Sequence, residues 1–314
     1  MPELPEVHTT ATILNKLISE LVIIDVWSGY NSLFHKGKEN IKNIHYFGKF
    51  KKEVMGKKIL NVKRRGKNIL INLEKNTTIL IHMKMTGHLL YGKYKQPPAT
   101  PPPLLRGNKY SEWKAVEEGP LQDPFNRFIR LVFTFSNKKH LAFSDMRKFA
   151  KVCLIKTDEL EKSADLRGLG PEPLKKDFNF TIFKERLNKK PNSKIKQVLM
   201  DQTIISGIGN IYSDEMLWLA GIHPETKVQK IPAPKLKKLF EAMKKVLEKG
   251  IKLNGDSMSD YRNPYGEKGR FQNTHMAYRR TGQICGKKGC KGIITRIKVG
   301  GRSAHFCNIH QTTP

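Results

Sequence analysis

Between Pro5 and Leu21 the apolar residues Val7, Ala11, Leu14, Ile18 and Leu21 recur at helical spacing, which predicts an amphipathic helix near the N-terminus. VIIDVW then reads as a strand. From about Ile59 the period shortens to two in KILNVKRR, NILINLE, TILIHMKM and HLLYG, with turn-like breaks such as EKNTT between them. Such alternation predicts antiparallel strands. RLVFTFSNKKHLAFSDM reads as a hairpin turning at Ser136–Lys139. After LGPEPL, at Leu169–Leu174, the texture becomes helical, with FTIFKERLN, SKIKQVLMD and GNIYSDEMLWLA as candidate helices. From Pro234 to Ile251 the residues Leu236, Leu239, Phe240, Met243, Val246 and Leu247 line one face. The expected class is α+β in three parts: a helix with strands over 1–160, a helical segment over 161–255, and a small tail over 256–314.

Composition refines this picture at three points. Gly92–Phe128 holds seven of the seventeen prolines; its segment KQPPATPPPLL cannot be a central strand and reads as an inserted, mobile surface loop. No apolar run approaches the roughly 20 residues of a membrane span, the N-terminus lacks the order of a secretory signal, and four cysteines in 314 residues do not make a disulfide framework. A reducing, cytoplasmic setting is therefore expected. Lys and Arg together number 58 against 28 acids, a net charge of +30. That surplus forecasts a polyanion partner, although abundant Lys, Asn and Ile also fit the drift of an AT-rich genome.

The tail carries the first chemistry. In GQICGKKGCKGIITRIKVGGRSAHFCNIHQ, Cys285 and Cys290 have four residues between them, sixteen more precede Cys307, and two separate Cys307 from His310. Two close pairs across a hairpin-length stretch predict one structural zinc ion on Cys285, Cys290, Cys307 and His310. His305 competes for the fourth place. A module this small has no core of its own, so metal would supply its folding energy. Cys153, in AKVCLI, reads as core. At the tip of the hairpin, KVGGRSAHF offers Arg302 on a glycine turn suited to a phosphate.

The second signal is MDQTIISGIGNIYSDEML. Gly207 and Gly209 flank Ile208 just before a helix opening near Asn210, an arrangement that lets backbone N–H groups and the helix N-terminus meet an anion. Asn210 can cap the helix or reach a phosphate. The dinucleotide fingerprint is incomplete, so a phosphodiester clamp fits better than a mononucleotide site.

The third is the start itself, MPELPEV. Removal of Met1 would expose Pro2 as a secondary amine. A terminal amine titrates near ~8 against ~10.4 for lysine, so a neutral, nucleophilic fraction exists at working pH. Attack on a sugar C1′ would expel a base and leave an iminium adduct. Glu3 is next door, and Glu6, one helical turn on, faces the same helix end as a second acid. The plain alternative is that Glu near a helix N-terminus is favourable anyway.

MPELPEV resembles the N-terminal signature of the formamidopyrimidine-DNA glycosylase / endonuclease VIII family. The same order continues through RRGKNILINL, IHMKMTGHL, DMRKFAKV, LGPEPL, KQVLMDQTIISGIGNIYSDEMLWLAGIHP and the cysteine-bearing tail with Arg302. Only the proline-rich insertion falls outside the resemblance. It implies an N-terminal helix with an antiparallel β-sandwich, a helix–two-turns–helix domain, and a lesion-capping loop with a β-hairpin zinc finger. It also implies Pro2 as Schiff-base nucleophile, Glu3 as proton donor, Glu6 as supporting acid, Lys67 as promoter of β-elimination, and Arg302 in δ-elimination. Asn210 and Arg302 would grip phosphates; His82 would lie near the backbone; Met85, Arg147 and Phe149 would fill the gap left by an everted base, with Arg147 facing the orphaned partner. For Met85 and Phe149, core packing is the alternative. Lys196 and Asn126 are also expected at the DNA.

Three departures stand out. The family's finger usually has four cysteines with two residues inside each pair, whereas the first pair here is wider and His310 ends the second. Relatives carry a histidine just before the strand that begins near Arg130, where this chain has Asn126 or Arg127. The insertion is long for the family. The expected function is base-excision repair of double-stranded damaged DNA: removal of oxidised purines, such as 8-oxoguanine and formamidopyrimidines, followed by β,δ-elimination, by a monomer at the nucleoid. Two rivals are an endonuclease VIII-like preference for oxidised pyrimidines and a non-catalytic DNA-binding protein on the same scaffold. NPYGEKGRF lies where relatives cover the everted base, but its chemistry does not decide between the lesions.

Overall fold

A computed structural model describes residues 1–30, 33–95, 113–258 and 260–312. The chain divides into two compact units. The first takes Met1–Pro2, Glu6–Ser163 and Asn254–Gly269; the second takes Glu3–Pro5, Ala164–Leu253 and the chain from Arg270 onward. The tail expected as one domain over 256–314 is therefore shared between them.

The first unit is a two-sheet sandwich. Helix α1 (Leu4–Ile18) lends it Val7, Ala11, Leu14 and Ile18, the apolar positions that predicted the helix. Strands β1 (Ile23–Ser28), β5 (His88–Gly92), β8 (Ile129–Phe135) and β9 (His140–Ser144) form one antiparallel sheet in the order β1-β8-β9-β5. Strands β2 (Ile59–Arg65), β3 (Asn68–Leu73), β4 (Thr77–His82) and β10 (Lys151–Lys156) form the other in the order β10-β4-β3-β2. Because strand side chains alternate between faces, Ile69, Ile71, Ile79 and Ile81 of one sheet and Leu131, Phe133, Leu141 and Phe143 of the other share one core. Helix α2 (Ile44–Val54) adds Phe50 and Val54, and Cys153 is buried in β10.

The opposite face of the first sheet also carries apolar side chains, and the described ends of the insertion cover them. Strands β6 (Tyr94–Lys95) and β7 (Lys114–Ala115) pair, and Tyr94, Trp113 and Leu121 join Leu90, Val132 and Ala142 in a second cluster. Apolar area exposed on a sheet face favours such a cover. These flanks are thus packed structure, not the surface loop expected; all of KQPPATPPPLL beyond Lys95 lies outside the described residues.

The second unit is helical, with α3 (Phe180–Asn188), α4 (Ile195–Met200), α5 (Asn210–Ala220) and α6 (Ala233–Lys252) around one apolar cluster. Between α4 and α5 the linker folds into successive turns: the Gln202 side chain donates to the Met200 and Ile208 carbonyls and accepts from the Gly207 amide. Strands β11 (Ile294–Val299) and β12 (Arg302–Cys307) form the terminal hairpin, with Val299 paired to Arg302 at its tip. Among the described residues no helix is long and apolar enough to cross a membrane.

A buried ionic hub ties this hairpin to α5. Asp214 is fully buried; its Oδ1 takes the Lys196 ammonium at 2.5 Å, and its Oδ2 receives both the amide and Nδ1 of His305, at 3.0 and 2.9 Å. Next to it, Glu215 accepts the amides of Met276, Ala277 and Tyr278. This corrects the expectation for Lys196. Its side chain has no exposure, and its ammonium is held inside the fold by Asp214, Ser213 and the Asn210 carbonyl. Removing one partner of a buried ion pair strands the other charge at a cost of about 3–5 kcal/mol. Lys196→Ala should lower unfolding free energy by roughly that amount in denaturant titration; a loss confined to DNA affinity, with stability unchanged, would contradict the assignment.

Candidate functional site

The acids of MPELPEV are held by backbone amides, one in each unit. In the second unit, Glu3 Oε1 accepts the Ile211 amide at 2.9 Å, in the first turn of α5. Gly209 immediately precedes that helix, and a Cβ there would stand 2.6 Å from Glu3 Oε1; only glycine admits the carboxylate. The Leu4 amide bonds the Gly207 carbonyl at 2.9 Å. The anion found at this helix N-terminus is thus the protein's own Glu3, where the sequence suggested a phosphate alone. In the first unit, Glu6 Oε1 accepts the Asp256 amide at 2.7 Å, and Gly255, at φ 82°, leaves room where a Cβ would be 2.7 Å from the same oxygen. Tyr261 donates its hydroxyl to the Glu6 carbonyl at 3.1 Å and lies 3.3 Å from the Thr10 hydroxyl. Burial raises the Tyr261 phenol far above its ordinary range, so it stays a donor. Pro2 is itself buried and directly precedes Glu3.

Lys67 occupies the two-residue turn between β2 and β3 and is largely buried. Opposite its strand neighbour Asn68 lies His82. His82 Nδ1 accepts the Lys84 amide at 3.0 Å, which leaves the proton on Nε2. Burial, followed by the Lys84 and Lys67 charges, pushes its pKa down to about 3. The ring is therefore neutral in this structure, with an N–H donor at Nε2.

Met85, Arg147 and Phe149 come together in the same unit. Arg147 Nη1 is 3.1 Å from Met85 Sδ, and the guanidinium sits 4.4 Å over the Phe149 ring. Met85 and Phe149 are 41% and 48% exposed, which excludes core packing. The sequence reading missed the residue that organises them. Asp145, wholly buried, accepts from Thr86 Oγ1 (2.8 Å), Tyr30 OH (2.9 Å) and the Ala150 amide (2.9 Å), while Thr86 Oγ1 in turn accepts the Arg147 amide. An acid closing an otherwise apolar strand, in AFSDM, was the available signal.

Asn126 also needs correcting. It is 4% exposed; its Oδ1 lies 2.9 Å from His88 Nε2, and its Nδ2 donates to the Pro120 and Leu121 carbonyls. Burial drives His88 down to about 4, so the neutral ring donates and Asn126 is spent inside the fold. In the second unit, Asn210 does not cap α5, which leaves the phosphate role as its remaining expectation. Arg302 stands exposed at the start of β12, next to Gly300 and Gly301.

The four tail ligands converge, with donor atoms all within 4.8 Å of one another. Cys285 Sγ is 3.3 Å from His310 Nδ1, and Cys290 Sγ is 3.6 Å from Cys307 Sγ. His310 Nε2 lies 3.0 Å from the Trp218 carbonyl and so carries the proton, which turns the Nδ1 lone pair towards the sulfurs. Burial lowers the His310 pKa, which keeps the ring in its ligating form. The Gly292 amide draws the Cys290 thiol below its usual range, and burial raises the Cys307 thiol. Three sulfurs and one imidazole around a common centre fit a tetrahedral metal ion. His305 is excluded from this set because Asp214 holds its ring.

Comparison with known proteins agrees with this geometry. The description "Formamidopyrimidine-DNA glycosylase N-terminal domain" matches residues 1–152, and "Formamidopyrimidine-DNA glycosylase H2TH domain" matches 169–262. Formamidopyrimidine-DNA glycosylase of Pelotomaculum thermopropionicum is 34% identical over 307 residues, 98% of each chain; that of Herpetosiphon aurantiacus is 35% identical over 311, covering 99% of this chain and all of the relative. Among solved structures, Lactococcus lactis Fpg with abasic-site DNA superposes with a TM-score of 0.79 at 31% identity. MutM with carbocyclic 8-oxo-G DNA gives 0.79 at 32%; each match covers 99% of this chain and 100% of the other. Two family descriptions that together span most of the chain and a third of all positions thus agree along nearly its whole length, and the chain belongs to the formamidopyrimidine-DNA glycosylase family, enzymes of DNA repair.

Proposed function

We propose that this chain is a bifunctional DNA glycosylase and abasic-site lyase that removes oxidised purines from double-stranded DNA. Once Met1 is removed, the Pro2 nitrogen attacks C1′ of an everted nucleotide; the glycosidic bond breaks and the base leaves, then the C1′–O4′ bond opens with a proton passing to O4′, and an iminium adduct remains. Glu3 supplies the proton that assists this step and Glu6 supports it. Lys67 promotes β-elimination, which releases the 3′ phosphate, and Arg302 assists the δ-elimination that follows. Asn210 and Arg302 grip backbone phosphates, His82 contributes a neutral N–H donor to the phosphate backbone, and Met85, Arg147 and Phe149 fill the vacated stack. The observation that carries this reading is the anchoring of Glu3. A buried carboxylate fixed by the Ile211 amide follows directly in sequence on the proline whose nitrogen would be the nucleophile. The exposed trio of Met85, Arg147 and Phe149 supports oxidised purines over pyrimidines. Cys285, Cys290, Cys307 and His310 hold one structural zinc ion.

Borohydride trapping on abasic-site duplex should give a covalent adduct that maps to Pro2 by peptide mass analysis. Pro2→Gly should cut base excision by at least ~10²-fold while leaving DNA binding intact. An adduct on Lys67 would refute the nucleophile, and binding without any adduct would make the protein a non-catalytic DNA binder.

Against a set of duplexes each carrying one defined lesion, 8-oxoguanine and formamidopyrimidine should be excised at least about tenfold faster than thymine glycol, a difference of ~1.4 kcal/mol in the barrier. Equal or faster release of thymine glycol would overturn the substrate assignment.

Elemental analysis should find one zinc ion per chain. His310→Ala should lose it and His305→Ala keep it, with chelation exposing the finger to protease. The reverse pattern would move the fourth ligand to His305.

A further inference from the structure

The described end of the insertion reaches the second acid of the N-terminal motif through an unbroken set of contacts, all inside the first unit. Arg262 is only 1% exposed and is one of the largest fully buried side chains. Its Nε and Nη2 donate to both carboxylate oxygens of Asp123, at 3.0 to 3.2 Å, and its guanidinium lies 5.0 Å over the Phe125 ring. Asp123 belongs to the insertion; the turn around it is fixed by Asn126, which binds the Pro120 and Leu121 carbonyls on one side and His88 on the other. On the far side, Arg262 Nη1 donates to the Tyr261 carbonyl at 2.9 Å, and Ser257 Oγ donates to the same carbonyl at 2.8 Å. The Tyr261 hydroxyl then donates to the Glu6 carbonyl, and the Asp256 amide to the Glu6 carboxylate. Two further contacts fasten the segment to this part of the fold. The Tyr91 amide bonds the Pro264 carbonyl at 2.8 Å, and Gly266 packs so close to Pro120 that a Cβ would be 2.6 Å from its carbonyl oxygen.

A bidentate ion pair with its guanidinium buried and its carboxylate half-buried is a costly way to gain stability, and the better-attested use of such a pair is to fix one arrangement among several. Here the arrangement fixed is that of Tyr261 and Asp256 around Glu6. A loop of this length would otherwise sample many backbone conformations, and the Glu6 carboxylate would lose its single orientation.

We propose that Asp123 and Arg262 are positioning residues for Glu6, so that the insertion, although remote in sequence, holds the supporting acid in register for base release. The inference rests on Glu6 acting as that acid, as set out under Proposed function. Neither Asp123 nor Arg262 touches the DNA in this scheme; both act through Tyr261 and the Asp256 turn.

The test is single-turnover excision by the full chain, with saturating enzyme on a duplex carrying one 8-oxoguanine. Asp123→Asn and Tyr261→Phe should each slow base release roughly tenfold, with duplex affinity unchanged. Tyr261→Phe removes one hydroxyl without opening a cavity, so it keeps the test alive should Asp123→Asn fold poorly. In a double-mutant cycle, adding Asp123→Asn to Glu6→Gln should cost less than twofold, because the shared target is already lost. Full additivity of the two changes, or wild-type excision by both single variants, would overturn the positioning role. A wild-type protein that neither excises the lesion nor traps on abasic DNA would refute the glycosylase reading itself, which separates the two failures.

Discussion

Two carboxylates buried at the start of one helix constrain the rest of this structure. A buried carboxylate without partners is strongly unfavourable, and each partner must reach it at about 2.9 Å. Glu3 and Glu6 meet that demand by taking backbone amides from Ile211 and Asp256. A backbone N–H has no rotamers, so a carboxylate it holds is fixed by the fold and not by a side chain that can swing away. The requirement propagates outward. Each amide must be approached closely, which forces glycine at 209 and 255. Each must also sit on rigid structure: in one unit the first turn of α5, in the other a segment tied to the sandwich by Arg262 and Tyr261.

Where periodicity was strong, the sequence was a reliable guide. Positions Val7, Ala11, Leu14 and Ile18 predicted α1 and are all buried, and the hairpin turning at Ser136–Lys139 is the β8–β9 turn. These elements follow from local rules: a 3.6 or 2 residue period and a polar turn. Legibility failed where a side chain's role depends on what lies beside it in space. The turn at Gly207–Gly209 reads as a cradle for an external anion, because nothing local indicates that Glu3, two hundred residues away, occupies it. The flanks of the insertion read as loop because proline argues against a central strand, yet a two-residue edge pairing and one buried Trp113 suffice to cover a sheet face.

Lys196 and Asn126 make the same point about residues carried over by resemblance. A family motif transfers identity and position in the chain. Burial comes from neighbours that the motif does not contain. Lys196 is matched inside KQVLMD, but its ammonium is fixed by Asp214 of the following helix, which also holds β12 through His305. Asn126, with Arg127, falls where the resemblance would put a histidine, but the carbonyls of Pro120 and Leu121 consume its amide. His310 is the converse case. A histidine stands there where the family's finger usually has a cysteine, and the Trp218 carbonyl, by fixing its tautomer, turns Nδ1 towards the three sulfurs.

The net charge of +30 explains less of the chemistry than its size suggests. Diffuse lysine charge raises affinity for any polyanion and falls away with salt; it does not select a nucleotide or orient a bond. The groups with placed geometry are few and mostly not cationic at their point of action. His82 is neutral, Glu3 and Glu6 are held by amides, and the Met85–Phe149 surface is apolar around a single guanidinium. Lys196, the one lysine whose ammonium lies in the fully buried hub, is neutralised within the fold. Long-range attraction and local chemistry are thus assigned to different residues. Surface lysines can therefore vary with genome composition, whereas the amide-held acids, and the glycines that admit them, cannot change one at a time.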